Sequence, residues 1–249
     1  MLEYFYRLFG YRKPGIVFYK NNPRDYDQHI ITETQTEYPD GIKEVDLMNT
    51  NIKDQKRTNR CSAFGCTTAV EIMLTRRLRK KIWIDPAQLW QHQKTRRSFL
   101  GSRYSVENWD IEKKGDTMDN VLMSLIENGL IFNDYDENGK AVWKKVTFDG
   151  FSRIRGGPKE CEKWIRKGHP LITGSGVFDN YIKDGFWLVS GVKRWGAHLF
   201  VVPTVRYNFK LENSWGNRWG DHGATNLFRL DMQKCFGPYV LYGMKVIDT

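Results

Sequence analysis

The chain has 249 residues, 40% hydrophobic and 27% charged, with 9 Trp, 12 Tyr and 14 Phe. That is enough apolar material for one large domain or two lobes, and it excludes wholesale disorder and low-complexity architecture. Mean hydropathy is −0.59, no apolar run approaches the ~18 residues of a bilayer span, and the net charge of +10 favours anionic partners in general. No nucleic-acid-binding module accompanies that charge, and its densest clusters, Arg76 to Lys81 and Lys94 to Arg97, border helical patterns as solvated helix faces do.

Residues 1–37 are aromatic and basic, with Tyr4, Phe5, Tyr6, Phe9 and Tyr11 close together. They have neither the apolar stretch nor the cleavage site of a signal peptide, so the expected setting is inside a cell or within a larger assembly. They read as an arm or short pro-segment, expected to dock away from any cleft, against the outer face of a lobe or a partner. A helix follows over 63–81, its apolar stripe formed by Val70, Met73, Leu74 and Leu78 and its basic end complementing the helix dipole. A second helix is predicted from Asp85, with Pro86 in its first turn, and a third over 117–127, stopped by Gly129. Beyond residue 150 only 158–167 is helical in pattern. The rest is short β-rich runs: PLITGSGVF, FWLVSGV, AHLFVVPTV, YNFKLEN and TNLFRL. Helices first and strands second predict an α+β protein, with a mainly helical lobe over 38–150 and a mainly β lobe over 151–249.

Four cysteines, Cys61, Cys66, Cys161 and Cys235, have neither the density of a disulfide scaffold nor the paired spacing of a zinc site. Cys61 stands at the predicted start of the long helix, where the positive end of the dipole lowers a thiol pKa. Cys66 is expected to face the core. Gln55 lies on the loop before Cys61, where its amide and the Cys61 N–H can point at one oxygen. His198 heads a β-run, and Asn213 ends another 15 residues later, so neighbouring strands can bring an amide oxygen to the imidazole. Nucleophile, base, orienter and oxyanion donors are the parts that thiolate catalysis needs. His29, His92, His169 and His222 show no ligand spacing.

Three blocks, DQKRTNRCSAF (54–64), GAHLFVV (196–202) and NSWGNRWGDHG (213–223), resemble the active-site blocks of papain-like cysteine proteases, family C1. Their order Gln, Cys, His, Asn is the family's, and the separations are near the usual roughly 130 to 150 residues. YPDGIKEVDL, IDPAQLWQHQKTR and GHPLITGSGVFDNYIKDGFW extend the likeness over most of 38–249, closer to bacterial and viral-type members than to secreted cathepsins.

The resemblance implies a papain-like fold, with a helical left lobe, a β-barrel-like right lobe and a cleft between them. Cys61 would be the nucleophile, His198 the base, Asn213 its orienter and Gln55 an oxyanion donor, with Trp215 shielding the His198–Asn213 bond. It implies cysteine endopeptidase activity on peptide or protein substrates, with no cofactor and no metal. Gly115 resembles the glycine that binds substrate backbone, and equally suits a helix-leading turn. Gly176 falls in the stretch resembling the right wall of the cleft.

The sequence departs from the family at Ser62, usually Trp, at Asn59 and Arg60, usually Gly and Ser, and at Ala197, where the family's namesake has an acid. These changes alter the cleft beside the nucleophile and the setting of the histidine. Two other readings stay open: a catalytically silent or structural papain-fold component of a larger assembly, possibly viral, and an amidase of cell-wall peptides.

Overall fold

A computed structural model describes residues 16–17, 45–48, 51–100, 110–183, 185–191 and 194–249. The aromatic cluster Tyr4–Tyr11, His29 and most of the arm lie outside the described residues. In chain order come β1 (Ile16–Val17), β2 (Val45–Asp46), α1 (Cys61–Leu78), α2 (Pro86–Leu100), α3 (Ile111–Lys114), β3 (Asp116–Thr117) and α4 (Met118–Asn128). The strands β4 (Leu130–Tyr135), β5 (Ala141–Thr147) and β6 (Gly150–Arg153) follow, then α5 (Gly157–Arg166), β7 (Leu171–Phe178), β8 (Ile182–Lys183) and β9 (Phe186–Trp187). The chain ends with β10 (Arg194–Val205), β11 (Phe209–Glu212), β12 (Ala224–Leu227), a 3-10 turn (Arg229–Lys234), β13 (Tyr239–Tyr242) and β14 (Lys245–Asp248).

Helix α1 begins at Cys61, two residues before the predicted start, and ends where Arg79 turns left-handed at φ 54°. Its first fourteen residues are almost all buried, because it is wedged between α2 and α4 on one side and β10 on the other. A helix covered on both sides needs no strong apolar stripe. Gly65 sets the approach to β10, since a Cβ there would overlap the side chain of Leu199. Cys61, one turn earlier on the same face, is thereby turned toward the strand that carries His198. Helix α4 starts as its sequence predicts: the Thr117 hydroxyl accepts from Asn120 N at 3.1 Å, and Gly129 caps the other end at φ 63°.

The main sheet runs β6-β13-β7-β10-β11-β12-β9-β8, with β2 also paired to β10. The β7–β10 pairing is antiparallel and sets Ser175 opposite His198 and Gly176 opposite Ala197. A second sheet, β14-β5-β4, joins residues 130–147 to the end of the chain. In β4 the alternation turns Leu130, Phe132 and Asp134 inward, and Asp134 is matched by Lys80 and Lys144. An inward acid in an apolar alternation is why this strand escapes a hydrophobic pattern search.

Backbone pairing places one part of the arm. Ile16–Val17 runs parallel to Asp116–Thr117 and also packs beside β10. Among the described residues β3 has no other strand partner, and its open edge takes Ile16–Val17. Among the described residues no helix is long and apolar enough to cross a membrane.

Candidate active site

Cys61 is the first residue of α1 and is fully buried. Arg60, at the N-cap, makes no side-chain capping bond, so the helix's positive end is not quenched by its own cap and favours a negative charge on the sulfur. None of the four cysteines is in a disulfide. Burial pushes the Cys66 thiol far up, with the nearby Cys61 and Asp116 charges adding to it, and pushes Cys161 up to about 12. Those two are held as inert thiols, as the sequence reading expected of Cys66.

His198, on β10, is fully buried. Its Nε2 lies 2.6 Å from Asn213 Oδ1, an oxygen that also accepts from Ser214 N at 2.7 Å. Since a carbonyl oxygen only accepts, Nε2 carries the hydrogen in the neutral ring, and Nδ1 is left basic. Nδ1 is buried with no hydrogen-bond partner among the described residues. Burial pushes the imidazole down to about 4, opposed by the Asn213 bond. A proton on His198 therefore needs a counter-charge beside it.

The Trp215 ring lies 4.4 Å from the His198 ring, centroid to centroid, tilted by 36°. Tyr181, Trp187 and Trp219 pack around it, and Trp187 Nε1 donates to Ser175 Oγ at 2.7 Å. These rings make an apolar wall around His198, a low-dielectric setting in which a hydrogen bond is electrostatically stronger than in water.

Gln55 is buried and its amide is fixed at both ends. Oε1 accepts from Ser214 Oγ at 2.6 Å, and Nε2 donates to Thr58 O at 2.7 Å. One Nε2 hydrogen remains for another acceptor. Backbone bonds from Gln55 N to Ser214 O and from Gly216 N to Lys53 O stitch this loop to the Asn213 block. Ser214 had no assigned part in the sequence reading, although it lies inside the block NSWG.

Two buried polar clusters brace this arrangement, and sequence reasoning found neither. Lys53 Nζ meets Glu71 Oε1 at 2.6 Å and Ile84 O at 2.8 Å, tying the Gln55 loop to the middle of α1. Burial lowers the Lys53 pKa, while Glu71 opposes the shift. The other cluster contains Ser62. Gln93 Nε2 donates to Ser62 Oγ at 2.9 Å and to Asp116 Oδ2 at 2.6 Å, and Asn120 Nδ2 donates to the same Asp116 oxygen at 2.6 Å. Ser62 thus enters a buried hydrogen-bond chain that links α1 to β3.

The remaining candidates lie around the rim. Gly115, at φ 77°, ends α3 and leads into β3. Asn59 Nδ2 donates to Glu112 O at 2.9 Å and Lys113 O at 2.6 Å, holding that turn against the loop before Cys61. Ala197 is buried and Gly176 lies opposite it on β7. His169 is a buried structural residue whose Nδ1–H donates to Leu241 O at 3.1 Å. Among the described residues no group of His, Cys, Asp or Glu side chains is arranged to hold a metal ion.

No family model matches this sequence, and no curated protein matches it either. Solved structures do match its fold. Xylellain, a cysteine protease from Xylella fastidiosa, superimposes with a TM-score of 0.69 at 14% identity, over 94% of this chain and 98% of that one. Procathepsin B S9 from Trypanosoma congolense gives 0.65 at 12% identity, over 92% and 86% of the two chains. Procathepsin L 3 from the larval midgut of Tenebrio molitor gives 0.55 at 16% identity, over 85% and 75%. The chain has the α+β fold of papain-like cysteine proteases.

Proposed function

We propose that the chain is a cysteine endopeptidase in which Cys61 is the nucleophile, His198 the general base and acid, Asn213 the orienter and Gln55 an oxyanion donor. The observation that carries this reading is the His198 Nε2 to Asn213 Oδ1 bond, which leaves a basic, buried Nδ1 on the strand that Gly65 lets α1 approach. The Cys61 proton passes to Nδ1, and the resulting thiolate supplies the counter-charge that the buried imidazolium needs. The sulfur attacks the peptide carbonyl, and the oxyanion is held by the Cys61 N–H and the second Gln55 Nε2–H. His198 then gives its proton to the leaving amine, activates water and releases the acyl group.

In the same reading Trp215 shields the His198–Asn213 bond, Ser62 steadies the start of α1, and Gly115, Gly176 and Ala197 line the cleft. Residues 38–150 and 151–249 act as its two lobes, with 1–37 as the arm. Labelling with an epoxysuccinyl thiol-protease inhibitor, located by mass spectrometry, tests this directly. An adduct on Cys61, lost together with peptide turnover in Cys61→Ala, is the expected result. A folded protein that takes no label and cleaves no peptide would favour the silent, structural alternative, and activity confined to peptidoglycan stems would favour the amidase.

A further inference from the structure

The residue before the nucleophile is a cation with unused donors. Arg60 stands at the N-cap of α1, its side chain 35% exposed. Among the described residues only NH2 of its guanidinium is engaged with an acid, reaching the Glu112 carboxylate at 3.3 and 3.4 Å, and the guanidinium carbon lies 5.5 Å from the centre of the Trp90 ring; the acid contact is well beyond the roughly 2.7–2.9 Å of a tight charge-assisted bond. Glu112 Oε1 already accepts Trp90 Nε1 at 2.9 Å and Lys94 Nζ at 3.3 Å, so one carboxylate is shared among three donors. Partial burial pushes Glu112 up, but the Trp90 and Lys94 bonds and the Arg60 charge leave it below the usual range, so it is an anion shared among these donors. Arg60 Nε is buried without a partner.

The surroundings are basic and fixed. Lys94, Lys113 and Lys114 stand in the same segment of the fold as Arg60; among the described residues Lys94 meets Glu112 at 3.3 Å and Lys113 meets Asp110 at 3.3 Å. The Asn59 bonds to Glu112 O and Lys113 O keep this rim from moving relative to Cys61. The rim ends at Gly115, where the β3 edge begins, and that edge accepts an extended backbone at Ile16–Val17. Arg60 precedes Cys61 in the chain, so its Cα is about 3.8 Å from that of Cys61, and a group joined to the Cys61 sulfur lies within the span of a fully extended arginine side chain.

We propose that Arg60 is a specificity-determining residue that binds the carboxylate of the substrate residue whose carbonyl Cys61 attacks, so that the preferred substrates are peptides with Glu or Asp at that position. This rests on the peptidase reading above. A planar guanidinium with free N–H groups matches a carboxylate in two-point geometry. A cation at the same position meets Arg60 as a like charge.

The test uses the full chain and quenched fluorescent peptides that differ only at that residue: Glu, Gln or Arg. Hydrogen bonds to charged groups are worth about 1.5 to 3 kcal/mol, so kcat/KM for Glu should exceed that for Gln by roughly tenfold to a hundredfold, with Arg lowest. Arg60→Gln should bring the Glu-to-Gln ratio close to one, and Arg60→Glu should make Arg the best of the three. Equal or reversed preference in the wild type overturns the proposal, as does a Glu-to-Gln ratio that survives Arg60→Gln. Cleavage of the Gln peptide in such a result leaves the peptidase reading standing. Failure to cleave any of the peptides, with Cys61 inert to iodoacetamide in folded protein, removes both.

Discussion

Lys53 and Glu71 form an ion pair whose side chains are 1% and 0% exposed. Removing one member of such a pair strands a charge in low dielectric, a loss of about 3 to 5 kcal/mol, whereas replacing both by apolar groups of similar size is often neutral. Glu71→Ala should therefore lower the urea midpoint sharply, and Lys53→Met with Glu71→Leu should recover most of it. A double variant no better than the single one would mean that the pair's bond to Ile84 O matters more than its charge balance. At the proposed reacting groups, His198→Ala should abolish turnover if His198 is the base. Asn213→Ala should reduce kcat while leaving KM within a few-fold, since it orients the imidazole without being the base. Equal loss in both, measured on one peptide, would give Asn213 a structural part as well. Cys61, His198 and Asn213 were legible in sequence because their surroundings compress into three short blocks. Lys53, Glu71, Gln93 and Asp116 were not, because the burial of a polar side chain depends on elements distant in the chain.

Helix α1 and strand β10 meet at Gly65, and the added methyl of Gly65→Ala must displace Leu199. Overpacking of this kind typically costs 1 to 3 kcal/mol, and here it also pushes the Cys61 turn away from His198. The expected outcome is a lower melting temperature together with slower alkylation of Cys61; a shift in stability alone would uncouple the packing from the site. The arm offers a second test at this scale. Ile16–Val17 occupies the β3 edge beside Gly115, so deleting residues 1–30 should lower KM for peptides by freeing that edge. An unchanged KM would show that substrates do not use it. The helices were predicted closely because caps such as Thr117 and Gly129 are local signals. Strands β4, β5 and β14 were missed: β4 and β5 pair locally, but the inward Asp134 breaks the apolar alternation of β4, and β14 finds its partner β5 about a hundred residues back in the chain.

Across the molecule, stability should fall in mild acid. Burial lowers His169 to about 4, against 6.5 for the free side chain. Between those values the unfolded chain binds more protons than the folded one, so stability rises with pH through this window. It is fully present above about 6.5 and is lost as pH falls toward 4. Urea titrations at pH 4 to 7 should show this slope, and His169→Asn, which can still donate to Leu241 O, should flatten part of it. The two-part α+β architecture could be read from the order of helices and strands, whereas the return of the chain's end to β5 could not, since no local pattern encodes it.

That return has a consequence for synthesis. Residues 245–248 supply β14, and the carbonyl of Met244 accepts a bond from Arg77 on α1. Every proposed reacting group is synthesised before these residues are made. Yet the strands that close both sheets, β13 and β14, come last, and their long-range pairings form slowly. A nascent chain therefore carries Cys61, His198 and Asn213 before β13 and β14 exist to brace the sheets around them, so in the proposed reading the order of translation delays proteolytic competence until those strands have been made.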